Sequence, residues 1–389
     1  MARKRSKGGP QPASRCGKTD MATASDKKIR VLVVDDSAFM CKVLQEIINS
    51  DPQMEVVGQG RDGRDGVALA ESLRPDVITM DINMPHVDGL QATELIMSSH
   101  PRPIVIVSSE SREGAASTLK ALELGAIDFV PKPSSGIDLD MKTVREELTR
   151  KLKLAAKVRV VRTATRSKLA MPAAPASSSS VSSAATIAQN GGKFPLIVVA
   201  ASTGGPAAVT RVVSALPKDL PAAMFLVLHM PATFTKQFTV QLSETSALPV
   251  KEAETNETPQ PGTIYLCPGS HHLRLSHAGK IALDSGARID GYRPCADVAM
   301  ETIAAYARAL TIGVVMTGMG NDAAKGAKAI KTAGGYVLAQ DEATSMIFGM
   351  PAEAIQAGAV DEVLALDNIG PAIEKRIAKL SRLAPVLAR

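Results

Sequence analysis

The most restrictive feature of this chain is a recurring pair: an apolar run that ends on a polar residue, then an amphipathic segment. Between residues 29 and 134 the runs IRVLVVDD, MEVVGQG, DVITMDI, PIVIVSS and IDFVPKP alternate with the helical patterns SAFMCKVLQEIINSD, GRDGVALAESLRP, GLQATELIMSSH and AASTLKALELG. A strand without polar alternation must be buried on both faces. In a βα repeat this means a parallel sheet between two layers of helices. Ser37 stands where the first helix needs an N-cap. The pattern resumes at Phe194, with strands expected at PLIVVAAS, AAMFLVLHM, GTIYLCP, HLRLSH, KIALDS, TIGVVMTG, GYVLAQD and AVDEVLAL. The strands near 262–285 read as an antiparallel insert. The expected fold class is α/β: a doubly wound N-terminal unit, then a doubly wound, mostly parallel C-terminal unit with a small antiparallel insert.

Four segments follow: a disordered basic tail over 1–28, the first unit over 29–150, a linker over 151–193, and the second unit over 194–389. The linker is basic at first and then Ala/Ser/Pro-rich (LAMPAAPASSSSVSSAATIAQNGGK), a composition that builds no core. The net charge of +6 does not predict a nucleic-acid partner. Residues 1–28 carry eight Lys/Arg against two Asp, and 142–168 carry ten against two Glu, so the remainder of the chain is net acidic. With no Trp and 3% aromatic residues, stacking platforms for single strands are not expected. No apolar stretch approaches the roughly 18–20 residues of a bilayer span, and the N-terminus lacks the apolar core of a secretory signal. Cys16, Cys41, Cys267 and Cys295 form no CxxC pair and read as free thiols in a reducing compartment. A cytoplasmic monomer without membrane insertion is expected.

Polar residues at the strand ends define two candidate sites, because ligands of such sheets gather at the carboxyl ends of their strands. In the first unit Asp35 and Asp36 close the first strand, Asp81 the third, Ser108 the fourth and Lys132 the fifth. Clustered carboxylates repel and are costly to bury unpaired. A hard divalent cation such as Mg²⁺ relieves this, with Lys132 and Ser108 as donors to a phosphoryl group on Asp81.

In the second unit three readings compete. GMGNDA, 318–323, matches G-x-G-x-x-A after a strand, with Asp341 placed near where a ribose-binding acid would lie. STGGP, with Gly204 and Gly205, is a candidate phosphate nest, or Ser202 is a plain helix cap. The third reading is acyl transfer, with Ser202 as nucleophile, His229 at the end of MFLVLHM as base, and Asp322 after VVMTG as the orienting acid. His229 alone is also compatible with a core histidine. His271, His272 and His277 lack a fourth zinc ligand and are assigned to a loop or substrate contact. Arg293 and Asp297 in RPCAD suit either a binding element or a surface ion pair. Met230, Met319 and Met346 are read as packing.

VLVVDDS, DVITMDINMPHVDG, IVIVSS and VPKP together resemble two-component receiver domains. The resemblance implies Asp81 as phosphoacceptor and a Mg²⁺ site of Asp35, Asp36, Asp81 and the Asn83 carbonyl. It also implies Ser108, Phe129 and Lys132 as switch residues, and a cis Lys132–Pro133 bond. AASTGGP, LHMPATFTKQF, RPCADV, MTGMGNDAAKGAKAIKTAGG and AQDEATSMIFGMPAEAI resemble the catalytic domain of chemotaxis protein-glutamate methylesterases, over most of 194–368. That implies a Ser202–His229–Asp322 triad. The turn residues Thr203 and Met319 are read as backbone oxyanion donors, and no cofactor is expected for hydrolysis. The implied reaction is hydrolysis of glutamyl methyl esters and deamidation of glutamines on chemoreceptors, with a chemotaxis histidine kinase as phosphodonor. The chain departs from the family at Ala200, where Gly is usual, at Leu228, where Gln is frequent, and at Cys295, where Ser is common. Leu228 and Cys295 put substrate contacts in question, and Ala200 the shape of the turn.

Overall fold

A computed structural model describes residues 27–109, 111–132, 138–158 and 194–387. The tail through residue 26, the Lys132–Pro133 bond and linker residues 159–193 lie outside the described residues.

The N-terminal unit runs β1 (Ile29–Val34), α1 (Ala38–Asn49), β2 (Met54–Gly60), α2 (Gly63–Leu73), β3 (Val77–Met80), α3 (Gly89–Ser99), β4 (Ile104–Ser108), α4 (Arg112–Glu123), β5 (Asp128–Pro131) and α5 (Asp138–Ala155). Its sheet has the order β2-β1-β3-β4-β5, with every pair parallel. All four β3 residues are buried. Each fully buried Val, Leu or Ile contributes about 1.5–3 kcal/mol, while ordering the backbone costs about 1–2 kcal/mol per residue. So short a strand is stable only because both faces are covered. Ser37 caps α1 as expected, its Oγ accepting the Met40 N–H. The boundary expected at 150 falls inside α5, whose Lys151 and Leu152 are buried in this unit.

The C-terminal unit runs β6 (Leu196–Ala201), α6 (Gly205–Val213), β7 (Ala223–Leu228), α7 (Ala232–Thr245), β8 (Val250–Glu252), β9 (Ile264–Leu266), β10 (His272–Leu275), β11 (Ile281–Asp284), α8 (Ala296–Ala307), β12 (Thr311–Val315), α9 (Ala324–Thr332), β13 (Tyr336–Gln340), α10 (Met350–Gln356), β14 (Glu362–Leu364) and α11 (Leu366–Leu387). Its parallel sheet has the order β14-β13-β12-β6-β7-β9-β8. Among the described strands only β10 and β11 pair antiparallel. GTIYLCP therefore does not belong to the insert. As β9 it lies parallel to β7, with Met224 opposite Ile264, and all three of its residues are buried. β8 escaped sequence reading because three partly buried residues carry no periodic signal.

Strand order reverses between β1 and β3 in the first sheet and between β6 and β12 in the second. At these switch points the following loops diverge and leave a crevice at the strand ends. The two crevices hold the two candidate sites. The units meet where α4 packs on α7 and where the Phe129 ring stacks on Phe234, with centroids 4.2 Å apart.

Candidate active site

The turn after β6 is set by its glycines. Gly204 is the N-cap of α6 at φ +76°, a left-handed conformation that disfavours a side chain. No side chain caps this helix, so Ser202 is not a capping residue. The Ser202 N–H is tied to the Thr317 carbonyl at 3.0 Å, and its own carbonyl accepts the Gly205 N–H at 2.7 Å. A Cβ at Gly318 would lie 2.8 Å from Ser202 Cβ, so the first glycine of GMG gives room to the serine, not to a pyrophosphate.

Ser202 and His229 line one cleft of about 910 Å³. His229 Nε2 lies 2.8 Å from Asp322 Oδ2, which leaves Nδ1 as the nitrogen free to serve a hydroxyl. Asp322 is buried, but its charge is well solvated by the protein. Oδ2 accepts the Ala296 N–H at 2.7 Å, and Oδ1 accepts the Asp297 and Ala323 N–H groups at 2.8 and 2.9 Å. Burial pushes its pKa up, but hydrogen bonds from His229 and these amides outweigh that and hold it below the usual carboxylate value. Ser202 Oγ has no hydrogen-bond partner among the described residues, and neither has the N–H of Thr203 or Met319.

In the N-terminal unit Asp35, Asp36 and Asp81 place carboxylate oxygens within 4.8 Å of one another. One ammonium serves two of them: Lys132 Nζ lies 2.9 Å from Asp35 and 2.8 Å from Asp81. Burial, with the Asp35 charge adding to it, leaves the Asp81 pKa raised despite Lys132. The same burial opposes the lysine charge, but Asp81 and Asp35 overcome it, so the Lys132 pKa is raised as well. An all-oxygen donor set with one countercharge for three carboxylates suits a hard divalent cation. Asn83 lies exposed in the loop after Asp81. Ser108 Oγ turns to the Gly114 carbonyl at 3.4 Å, and Phe129 is buried at the contact between the units.

Family models match both halves: the response regulator receiver domain over residues 31–144 and CheB methylesterase over 197–373. A protein-glutamate methylesterase/protein-glutamine glutaminase of Pyrococcus horikoshii is 45% identical over 90% of this chain and 94% of its own. Its counterpart in Symbiobacterium thermophilum is 42% identical over 92% of this chain and 100% of its own. The chain belongs to this methylesterase family. It is a hydrolase with a receiver domain in front. The crystal structure of the Thermotoga maritima CheB methylesterase catalytic domain is similar at 39% identity, covering 47% of this chain and 98% of that one, with a TM-score of 0.46.

The three departures from the family pattern do not reach the cleft. Ala200 is fully buried inside β6, packed with Phe225 and Val227, and is a core position. Leu228 is fully buried at the end of β7. Cys295 lies behind Asp322, its Sγ 3.3 Å from Oδ1; burial and the neighbouring carboxylate push the thiol up to about 12, so it stays a donor. Asp297 does not pair with Arg293 on the surface. It is buried and accepts the Gly326 N–H at 2.6 Å, while Arg293 donates to the Ser285 and Gly286 carbonyls and lines the cleft. The three histidines form no metal cluster among the described residues: His272 is buried against the Ala287 carbonyl and His277 is exposed.

Sequence reading missed the groups that meet the Ser202 turn from a distance. Thr317 Oγ1 donates to the Thr203 carbonyl, and the Thr317 N–H donates to Gln340. From the receiver side, Asp128 accepts a hydrogen bond from the Thr203 hydroxyl. Buried Lys151 stands behind it, 3.0 Å from Asp128 and 3.0 Å from Glu147. Asp128 and Thr203 are 75 residues apart, and no local pattern links them.

Proposed function

We propose that this chain is a phosphorylation-activated serine hydrolase. It removes methyl esters from glutamyl side chains of chemoreceptors and deamidates glutamines there during sensory adaptation. The observation that carries this reading is the His229–Asp322 pair at 2.8 Å, held at strand ends beside Ser202 in a cleft that the receiver faces. Ser202 Oγ attacks the ester carbonyl while its proton passes to His229. The carbonyl electron pair moves onto oxygen, where the Thr203 and Met319 N–H groups donate to it, each such donor being worth about 2.7–4 kcal/mol in known cases. Asp322 holds the imidazole tautomer and stabilises the imidazolium. His229 returns the proton to the departing methoxide, methanol leaves, and water releases the acid by the same steps. A glutamine amide takes the same path with ammonia as leaving group.

Asp81 is the proposed phosphoacceptor, with a histidine kinase of the chemotaxis system as donor. Asp35, Asp36, Asp81 and the Asn83 carbonyl would hold Mg²⁺, which neutralises charge during phosphoryl transfer. Lys132 and Ser108 bind the phosphoryl oxygens. When Ser108 turns to the phosphoryl group, Phe129 loses its place against Phe234, and the population shifts towards an open cleft. The test is methanol release from a methylated receptor, with and without a small-molecule phosphodonor. Ser202→Ala is expected to abolish release with the fold intact, and retained activity would refute the triad.

A further inference from the structure

The side chain that covers the general base is Tyr292, and nothing in the triad reading requires it. Its ring lies on the His229 imidazole, with centroids 4.5 Å apart and planes inclined by 21°. The tyrosine is firmly mounted. Ile289 and Tyr292 exchange backbone hydrogen bonds of 3.0 and 2.9 Å around a tight turn, with Asp290 at φ +50° and Gly291 at φ +88°. Asp290 pairs with Lys325 on α9. The phenol oxygen packs on Gly320, where any Cβ would collide with it. Tyr292 thus joins the imidazole to the turn that carries Asp322.

We propose that Tyr292 is a positioning residue for the hydrolysis, an inference that rests on the triad reading above. One in-plane hydrogen bond to Asp322 leaves the imidazole free to tilt about that contact. An aromatic ring against its face removes the tilt. The same ring presents its electron-rich face as the imidazole gains the Ser202 proton, so the contact strengthens as the reaction proceeds. An interaction that grows towards the transition state appears in kcat and not in KM.

The test compares Tyr292→Leu and Tyr292→Phe in the full chain, activated by a small-molecule phosphodonor with Mg²⁺, on a receptor fragment carrying glutamyl methyl esters. Tyr292→Leu is expected to lower kcat by about fivefold to thirtyfold with KM unchanged, the span of a partly desolvated cation–π contact. Tyr292→Phe keeps the ring and is expected to restore most of the loss. Ser202→Ala run alongside separates the two failures. If that variant stays active, the triad reading falls. If it is dead while Tyr292→Leu matches the parent, loses only in KM, or is no worse than Tyr292→Phe, the role of Tyr292 is overturned alone. Thermal unfolding of each variant shows whether a loss reflects the fold.

Discussion

Replacing Thr203 by Val tests whether the receiver restrains the proposed active site. The hydroxyl of Thr203 donates to Asp128, and both residues are buried at the contact between the units. Valine keeps the shape and the backbone N–H but leaves a carboxylate oxygen of Asp128 without that donor. A hydrogen bond to a charged group is worth roughly 1.5–3 kcal/mol, or about tenfold to 150-fold in the ratio of closed to open arrangements. The open arrangement is untouched, since there Asp128 meets water. The Phe129–Phe234 stack remains and contributes about 0.5–1.5 kcal/mol beyond its buried area, so the units still associate. Methanol release without phosphodonor should therefore rise by about tenfold or more, up to the level of the activated parent. The gain on adding phosphodonor should shrink by the same factor. Unchanged basal release with an unchanged phosphodonor response would refute the argument. Asp128→Asn, which weakens the acceptor and leaves Lys151 with Glu147 as its one carboxylate partner beside the Phe129 carbonyl, should act in the same direction.

Three further outcomes are expected. In Asp81→Asn, methanol release with and without phosphodonor becomes equal, because no carboxylate remains to accept the phosphoryl group. Cys295→Ser retains kcat, whereas Cys295→Ala lowers it by about twofold to fivefold, since a weak donor to Asp322 contributes roughly 0.5–1 kcal/mol. Burial pushes the pKa of Asp297 from 3.8 up to about 6. A raised carboxylate favours the fold below its unfolded value, and this contribution is lost as pH rises through the folded value. Urea unfolding midpoints of Asp297→Asn relative to the parent should therefore improve between about pH 4 and pH 6 and level off above that.

Much of this architecture was legible because it repeats. Uniformly apolar runs mark strands buried on both faces, and polar residues just beyond them mark the edge where ligands gather. Asp35, Asp36, Asp81 and Lys132 could be grouped on that basis, as could Ser202, His229 and Asp322. Legibility ended where the signal was too short or lay in another segment. β8 has three residues and no period. The direction of β9 depends on which strand it joins, and its own residues do not encode that. Tyr292 sits in a polar loop, and only packing brings its ring onto an imidazole 63 positions earlier in the chain.

The sequence by itself determined the two α/β units and the strand ends at which the candidate site residues stand, because periodicity and local chemistry are properties of neighbouring residues. The residues alone left cap, nest and nucleophile open for Ser202. The tertiary structure decided what those residues meet. It set which imidazole nitrogen faces Asp322, assigned Ala200 and Leu228 to the core, put Cys295 behind Asp322, and brought Asp128 of the receiver onto the Thr203 hydroxyl next to Ser202. These are contacts between distant segments. They arise only when the sheets are stacked and the two units closed, since burial and hydrogen-bond partnership depend on the packed whole.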